Sequence, residues 1–167
     1  DRFRLYELAG QAHNSFSGAF YRPGYAEIDQ IQKTTGLPHT DITALPLEAF
    51  MRQALTNLDL WVREGIPAPY AQGLIEVDEN NIEVLDENNN CKGGFRFPQL
   101  DVPVATYCSG TKKNDQDSCC VYFSEEKLKK LYPTRRDYID KIFKAIDVLE
   151  EQRFFSVEDA DQMKLDI

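Results

Sequence analysis

The sequence contains no G-x-S-x-G, no G-x-G-x-x-G and no G-x-x-x-x-G-K-[ST]. The first absence removes the sharp strand-to-helix turn that usually exposes a nucleophilic serine. The other two remove the glycine-rich cradles that hold dinucleotide and nucleoside triphosphate phosphates. Histidine is scarce, with only His13 and His39, and none of the four cysteines lies in a C-x-x-C pair. Neither histidine has a carboxylate at a helical step in a predicted helix, so no metal site and no cofactor are expected. Cations are outnumbered, 19 Lys and Arg against 28 Asp and Glu, for a net charge of −9. An acidic surface repels phosphate backbones and anionic lipid, so neither nucleic acid nor membrane is an expected partner. No apolar run approaches the ~20 residues of a spanning helix.

What remains is 42% hydrophobic and 28% charged, the balance of a globular chain, and 167 residues suit one domain or a large piece of one. The even count of Cys91, Cys108, Cys119 and Cys120 leans towards disulfides and a secreted or extracytoplasmic protein. A Cys119–Cys120 bond would be strained, so Cys91 and Cys108 are each expected to take one of the adjacent pair. Four reduced thiols in a cytosolic protein is the alternative. The chain begins with Asp1 rather than Met, which is read as the removal of upstream residues.

The chain reads as one unit, 1–167, in five stretches. Residues 1–13 hold a strand over 2–9, stopped by Gly10, and then a loop with His13. Residues 14–45 have no clear period and form an irregular excursion. Residues 46–64 predict a helix with Pro46 in its first turn and Gly65 at its end. Its residues Leu47, Phe50, Met51, Ala54, Leu55, Leu58, Trp61 and Val62 make one wide apolar stripe that should face a core. Within 74–108, Leu74–Val77 and Ile82–Leu85 flank a polar turn as a β-hairpin, and Pro98 and Pro103 make the remainder extended or irregular. Residues 124–167 are helical, with capping signals at Ser124, Thr134 and Ser156. No internal repeat is evident.

His13 is the sharpest candidate for chemistry, because a loop directly after a strand gives a general base both rigidity and access. On those grounds alone it reads as a solvated loop histidine, and His39 does so more strongly. Asp86-Glu87-Asn88-Asn89-Asn90 imitates the start of a calcium loop. Cys91 then stands where glycine is needed and Phe97 where the bidentate acid belongs, so a polar turn is the better reading. The acids over 76–87 alternate with apolar residues as solvent-facing positions do. Lys127, Lys129, Lys130, Arg135 and Arg136 read as a solvated face.

Four ordered segments together resemble the esterase-like alpha/beta-hydrolase-domain family. They are Arg4 to His13, Ala54 to Pro69 (with Asp59-Leu60-Trp61-Val62-Arg63-Glu64-Gly65-Ile66-Pro67), Gly93 to Ala105, and Leu131 to Tyr138 with its helix. Residues 14–43 and 109–123 diverge most. The resemblance implies an α/β fold, as the C-terminal part of an α/β-hydrolase. Its parts would be the last core strand, the following helix, a β-hairpin insertion and the C-terminal helices, completed by an upstream chain. It places His13 at the family's catalytic histidine. The family's triad runs Ser, then Asp or Glu, then His, so the other two members would precede this chain. The implied function is the histidine-bearing chain of a two-chain serine hydrolase acting on a small carboxylester, inactive alone. Its partner would be the upstream chain of the same precursor, as a heterodimer or within a larger oligomer. The alternative is a non-catalytic binding, storage or structural descendant of the fold. The 46–64 stripe exceeds what one strand and a hairpin can cover, so an exposed apolar surface is expected.

Overall fold

A computed structural model describes residues 2–11, 45–108 and 119–167, without the side chains of Cys108 and Cys119. Its elements are α1 (Leu47–Glu64), α2 (Pro98–Asp101), β1 (Ala105–Cys108), β2 (Cys119–Tyr122), α3 (Glu125–Leu131), α4 (Arg135–Glu151) and α5 (Val157–Leu165). β1 and β2 pair antiparallel with Tyr107 opposite Cys120.

The C-terminal helices start where their capping residues predict. Ser124 Oγ accepts from Lys127 N, Ser156 Oγ accepts from Asp159 N, and Thr134 with Asp137 completes a reciprocal capping box. Each cap satisfies amide groups that the first helical turn leaves without partners. Ile142 and Ile146 of α4 pack with Val102 and Ala160 into a small second core.

The larger core is aromatic. Phe95 lies 4.6 Å from Phe50 and 4.8 Å from Phe154 between ring centroids, and Tyr6 meets Phe50 edge-on at 5.5 Å. Such pairs add about 0.5–1.5 kcal/mol each beyond the area they bury. Helix α1 begins at Pro46 and ends at Gly65, whose φ of 72° is the left-handed stop expected there. Its stripe divides in two. Ala49, Phe50 and Asn57 turn inwards, and the Asn57 amide donates to Arg153 O at 2.7 Å. Met51, Leu55, Leu58 and Val62 remain exposed. Within the described residues only part of the expected core-facing stripe is covered, and the rest is the exposed apolar surface expected of it: periodicity finds apolar positions but does not say which have a neighbour.

The expected strand over 2–9 is reduced to one parallel bridge, Leu8 to Phe95. Ala9 N donates to Phe95 O at 2.9 Å and Phe95 N donates to Glu7 O at 2.6 Å. The short helix α2 and strand β1 likewise replace part of the irregular stretch expected before residue 108.

The expected hairpin is a different object. Segments 75–77, 83–85 and 91–93 meet pairwise through single antiparallel bridges, Val77–Glu83, Leu85–Cys91 and Ile75–Gly93. At their centre three amides close a ring: Glu76 N donates to Lys92 O (2.8 Å), Lys92 N to Val84 O (2.9 Å) and Val84 N to Glu76 O (2.9 Å). Residues 76, 84 and 92 are spaced by eight, and the connecting turns are copies of each other. In one, Asp78 Oδ1 accepts from Asn80 N and Ile82 N; in the next, Asp86 Oδ1 accepts from Asn88 N and Asn90 N. Asn81 and Asn89 both adopt left-handed φ, 60° and 61°. The sequence does carry a tandem repeat, Val77-Asp-Glu-Asn-Asn to Val84 followed by Leu85-Asp-Glu-Asn-Asn to Lys92. The differing residues at each unit's end concealed it.

Arg96 secures this triangle to the core. Its guanidinium donates to Asp101 Oδ1 (2.7 Å), Asp86 Oδ2 (3.0 Å), Leu100 O (2.6 Å) and Cys91 O. Removing it strands the Asp86 carboxylate and two carbonyls in a site where the Arg96 and Asp86 side chains are only 20% and 13% exposed, while Asp101 is half exposed. Arg96→Met is expected to lower unfolding free energy in urea by about 2–4 kcal/mol. Arg63→Met, which breaks the exposed Asp59–Arg63 pair, should cost less than about 0.5 kcal/mol. Equal losses would refute the hub role of Arg96.

Candidate functional site

His13, the one residue expected to be catalytic, lies outside the described residues, as does His39. The structure does describe the segment that leads into His13, and its local chemistry is tightly constrained. Glu7 Oε2 accepts from Ile75 N at 2.8 Å, joining this segment to the triangle. Gly94, at φ 64°, lies so close that a Cβ there would fall 2.7 Å from Glu7 O and 2.8 Å from Ile75 Cγ1. Ala9 is fully buried. Gly10, at φ 67°, turns the chain beneath Leu100 and Tyr107; a Cβ would come within 3.2 Å of Leu100 Cδ2 and 3.3 Å of Tyr107 Cβ. Both positions need glycine for backbone conformation and for space. Gln11 N closes the turn on Leu8 O at 3.4 Å.

The segment is pinned further back as well. Arg4 Nε donates to Ala68 O at 2.7 Å, and its guanidinium stacks over the rings of Tyr70 (3.6 Å) and Trp61 (4.5 Å). Tyr6 Oη donates to Pro69 O at 2.6 Å. Residues 4 to 10 are thus held against α1, the 67–70 turn and the 91–107 region together.

Cys91 sits beneath the same turn. The expected disulfide through Cys91 is not formed: Cys91 is a buried thiol, and Cys120 is also buried. Cys91 faces inwards from the third edge of the triangle and donates to Glu83 Oε2 at 3.0 Å, while Cys120 enters the core opposite Tyr107. Burial, then the hydrogen bond and negative charge of Glu83, push the Cys91 thiol up to about 11, against partial relief from the Gly10 backbone and Arg96. A thiol in that state is a packing group with little nucleophilic character at neutral pH.

The other sequence candidates resolve into structural roles. Asp86 to Asn90 is a polar turn, as read, but with more purpose than a surface turn. Asn90 is fully buried, donating to Ala105 O (3.2 Å) and accepting from Tyr107 N (2.7 Å), so it docks the triangle on β1. Of the acids over 76–87, Asp86 is the exception to solvent-facing patterning, being paired with Arg96. Lys129, Lys130 and Arg136 form exposed i,i+4 pairs with Glu125, Glu126 and Asp140, as a solvated face does. Among the described residues, no group of three His, Cys, Asp or Glu is placed to hold a metal, and no helix is long and apolar enough to cross a membrane.

Sequence reasoning passed over Gly94 and Arg96. The signal was available only in part: Gly93-Gly94 marks a close backbone approach, but nothing local identifies what approaches.

The described residues form a mixed helix and strand chain. Residues 1–164 match the family described as Alpha/beta hydrolase domain, and the chain belongs to that family. No curated protein and no solved structure matches it.

The thiol chemistry is directly testable. At pH 8, Cys91 should be alkylated by iodoacetamide at least about tenfold more slowly in the folded protein than in urea, read by peptide mapping. A group protonated more tightly in the folded state stabilises it below the unfolded pKa and loses that contribution as pH rises through the folded one. The contribution of Cys91 should therefore fade between the ordinary thiol value near 9 and about 11, and Cys91→Ser should flatten the stability profile there.

Proposed function

We propose that this chain supplies the catalytic histidine, His13, to a Ser-His-Asp/Glu triad whose serine and acid lie on a separate polypeptide, forming a carboxylester-type hydrolase. The observation that carries this reading is membership of the hydrolase family over residues 1–164, a span that includes the His13 loop, in a chain with no G-x-S-x-G. In a triad of this kind the histidine takes the serine proton during attack and returns it to the leaving group. The acid holds the imidazole in the correct tautomer. The clamped Glu7–Gly10 segment supports the reading, because a base must be held to within a fraction of an ångström of its working position.

The exposed row on α1 supports the second polypeptide. Met51, Leu55, Leu58 and Val62 are each at least half exposed on one helix face. The described residues contain a two-stranded sheet, and α1 already covers the aromatic core with its other side. An apolar face of this extent normally packs against more protein. The fitting partner is the upstream part of the same hydrolase domain, and the fitting substrate a small ester.

Fluorophosphonate labelling of the native protein should mark a serine on a co-purifying chain, seen on a reducing gel. In the assembled protein His13→Ala should lower kcat on a short-chain aryl ester by about 10⁴-fold or more, with assembly intact. Leu55→Lys with Leu58→Lys should release the partner while the isolated chain keeps its far-ultraviolet circular dichroism. Native material consisting of this chain alone and unlabelled would overturn the proposal.

A further inference from the structure

The β1–β2 ribbon carries three of the four cysteines, Cys108 at the end of β1 and Cys119 and Cys120 at the start of β2. Its backbone register sets Cys108 directly opposite Cys119, and Cys120 opposite Tyr107. Phe123 N donates to Val104 O at 2.9 Å, which fixes the alternation along the ladder, so 104–123, 106–121 and 108–119 are its hydrogen-bonded pairs. The outer edge of β1 agrees, since Ala105 O and Tyr107 N turn away from β2 to the Asn90 amide. A hydrogen-bonded antiparallel pair holds its Cα atoms about 5.5 Å apart, the separation at which disulfides are most often found.

The same ladder sorts the cysteines. Successive residues of a strand lie on opposite faces, and directly opposed residues share a face. Tyr107 and Cys120 belong to the buried core. Positions 108 and 119 therefore fall on the other face, with Val121, which is 63% exposed. One residue of offset keeps Cys120 from Cys108. A bond between the adjacent Cys119 and Cys120 is strained by its own geometry. Cys91 is held as a thiol, donating to Glu83 Oε2.

We propose that Cys108 and Cys119 form a disulfide that ties the end of the ribbon, and that Cys91 and Cys120 take no part in it. Two further observations favour a tie there. Paired strands of four residues have little stability of their own. Residues 109–118, which join them, are Ser-Gly-Thr-Lys-Lys-Asn-Asp-Gln-Asp-Ser, without one apolar side chain to hold the register by packing. A bond at 108–119 closes this stretch into a ring in the unfolded chain as well, and so lowers the entropy that pairing the strands must overcome. The ribbon carries Tyr107 against Gly10, so the bond also steadies that turn. Formation is an exchange: two thiols give two electrons and two protons to a donor disulfide, which leaves as two thiols. Donors of this class are maintained in oxidising compartments, and the proposal places the maturation of this chain in one.

The test is peptide mapping of the full chain, purified without reductant from a secreting host and unfolded in urea with N-ethylmaleimide. Trypsin cuts after Lys112 and Lys113, between the two cysteines. The expected product is peptide 97–112 linked to peptide 114–127, with fragmentation placing the bond on Cys119 and the label on Cys120 and Cys91. Reductant should remove the link and lower the thermal midpoint by roughly 5–10 °C. Cys108→Ala with Cys119→Ala should show the lower midpoint with or without reductant. Four labelled cysteines before reduction, a bond to Cys91 or Cys120, or a midpoint that reductant leaves unchanged would each overturn the proposal. The mapping needs no variant, so a misfolded double substitution leaves the test intact. None of these readouts involves His13, a partner chain or ester hydrolysis, so failure here leaves the His13 reading standing, and the reverse.

Discussion

Three consecutive residues, Gly94, Phe95 and Arg96, join everything the structure describes. Gly94 has no side chain, so the backbone of residues 7–9 can approach and exchange two hydrogen bonds with Phe95. Phe95 carries its ring into the cluster of Phe50 and Phe154, which brings α1 and the turn after α4 to the same point. Arg96 turns the other way and closes the underside of the eight-residue repeat through Asp86 and the Cys91 and Leu100 carbonyls. The three contributions differ in kind: absence of volume, aromatic packing and charge-assisted hydrogen bonding. Loss of any one would leave the other two without their geometry, since each depends on the backbone path the others impose.

This arrangement explains what the amino-acid order revealed. Helices α3, α4 and α5 start at Ser124, Thr134 and Ser156 because capping is local, settled by residues three apart. Helix α1 was legible in extent for the same reason. Its division into a covered and an uncovered face was not, because that depends on Asn57 meeting Arg153 across 96 residues. The segment 2–9 alternates like a strand, yet among the described residues its only ladder partner is Phe95, so there its regularity stops after one bridge. The 74–93 region misled differently. Its turn residues were read correctly as turns, but hairpin logic assumes two strands, and here each turn serves a three-sided figure closed by the amides of 76, 84 and 92. The candidate site was legible through family resemblance alone; residue chemistry by itself left His13 a loop histidine.

The expected Cys91 disulfide failed for a reason that bears on the chemistry, while the side chains of Cys108 and Cys119 lie outside the described residues. Cysteine count and spacing cannot distinguish a covalent staple from a small apolar side chain, and both Cys91 and Cys120 occupy core positions beside Gly10 and Tyr107. The segment entering His13 is therefore steadied by packing and hydrogen bonds at Gly10, Gly94 and Glu7, without a covalent tie through Cys91. Order at that turn follows the folded state of the whole 91–107 region. Any loosening of the triangle, for instance at Arg96, would reach residue 10 through Cys91 and Leu100 before it reached the distant helices.

Charge and apolar surface are segregated on this molecule, and the segregation bears on function. The cations of α3 and the first turn of α4 are largely neutralised by neighbours four residues away. Among the large exposed apolar groups, Met51, Leu55, Leu58 and Val62 align on α1, following each other at steps of four, three and four. Scattered exposed leucines need no explanation, but an aligned row of this length is costly in water, at about 25 cal/mol per Å² of apolar surface left uncovered. A helix that gives one face to an aromatic core and the other to a second body is the usual arrangement in layered α/β domains. In the function proposed above, α1 would be the seam along which this chain meets the polypeptide that brings a nucleophile within reach of His13.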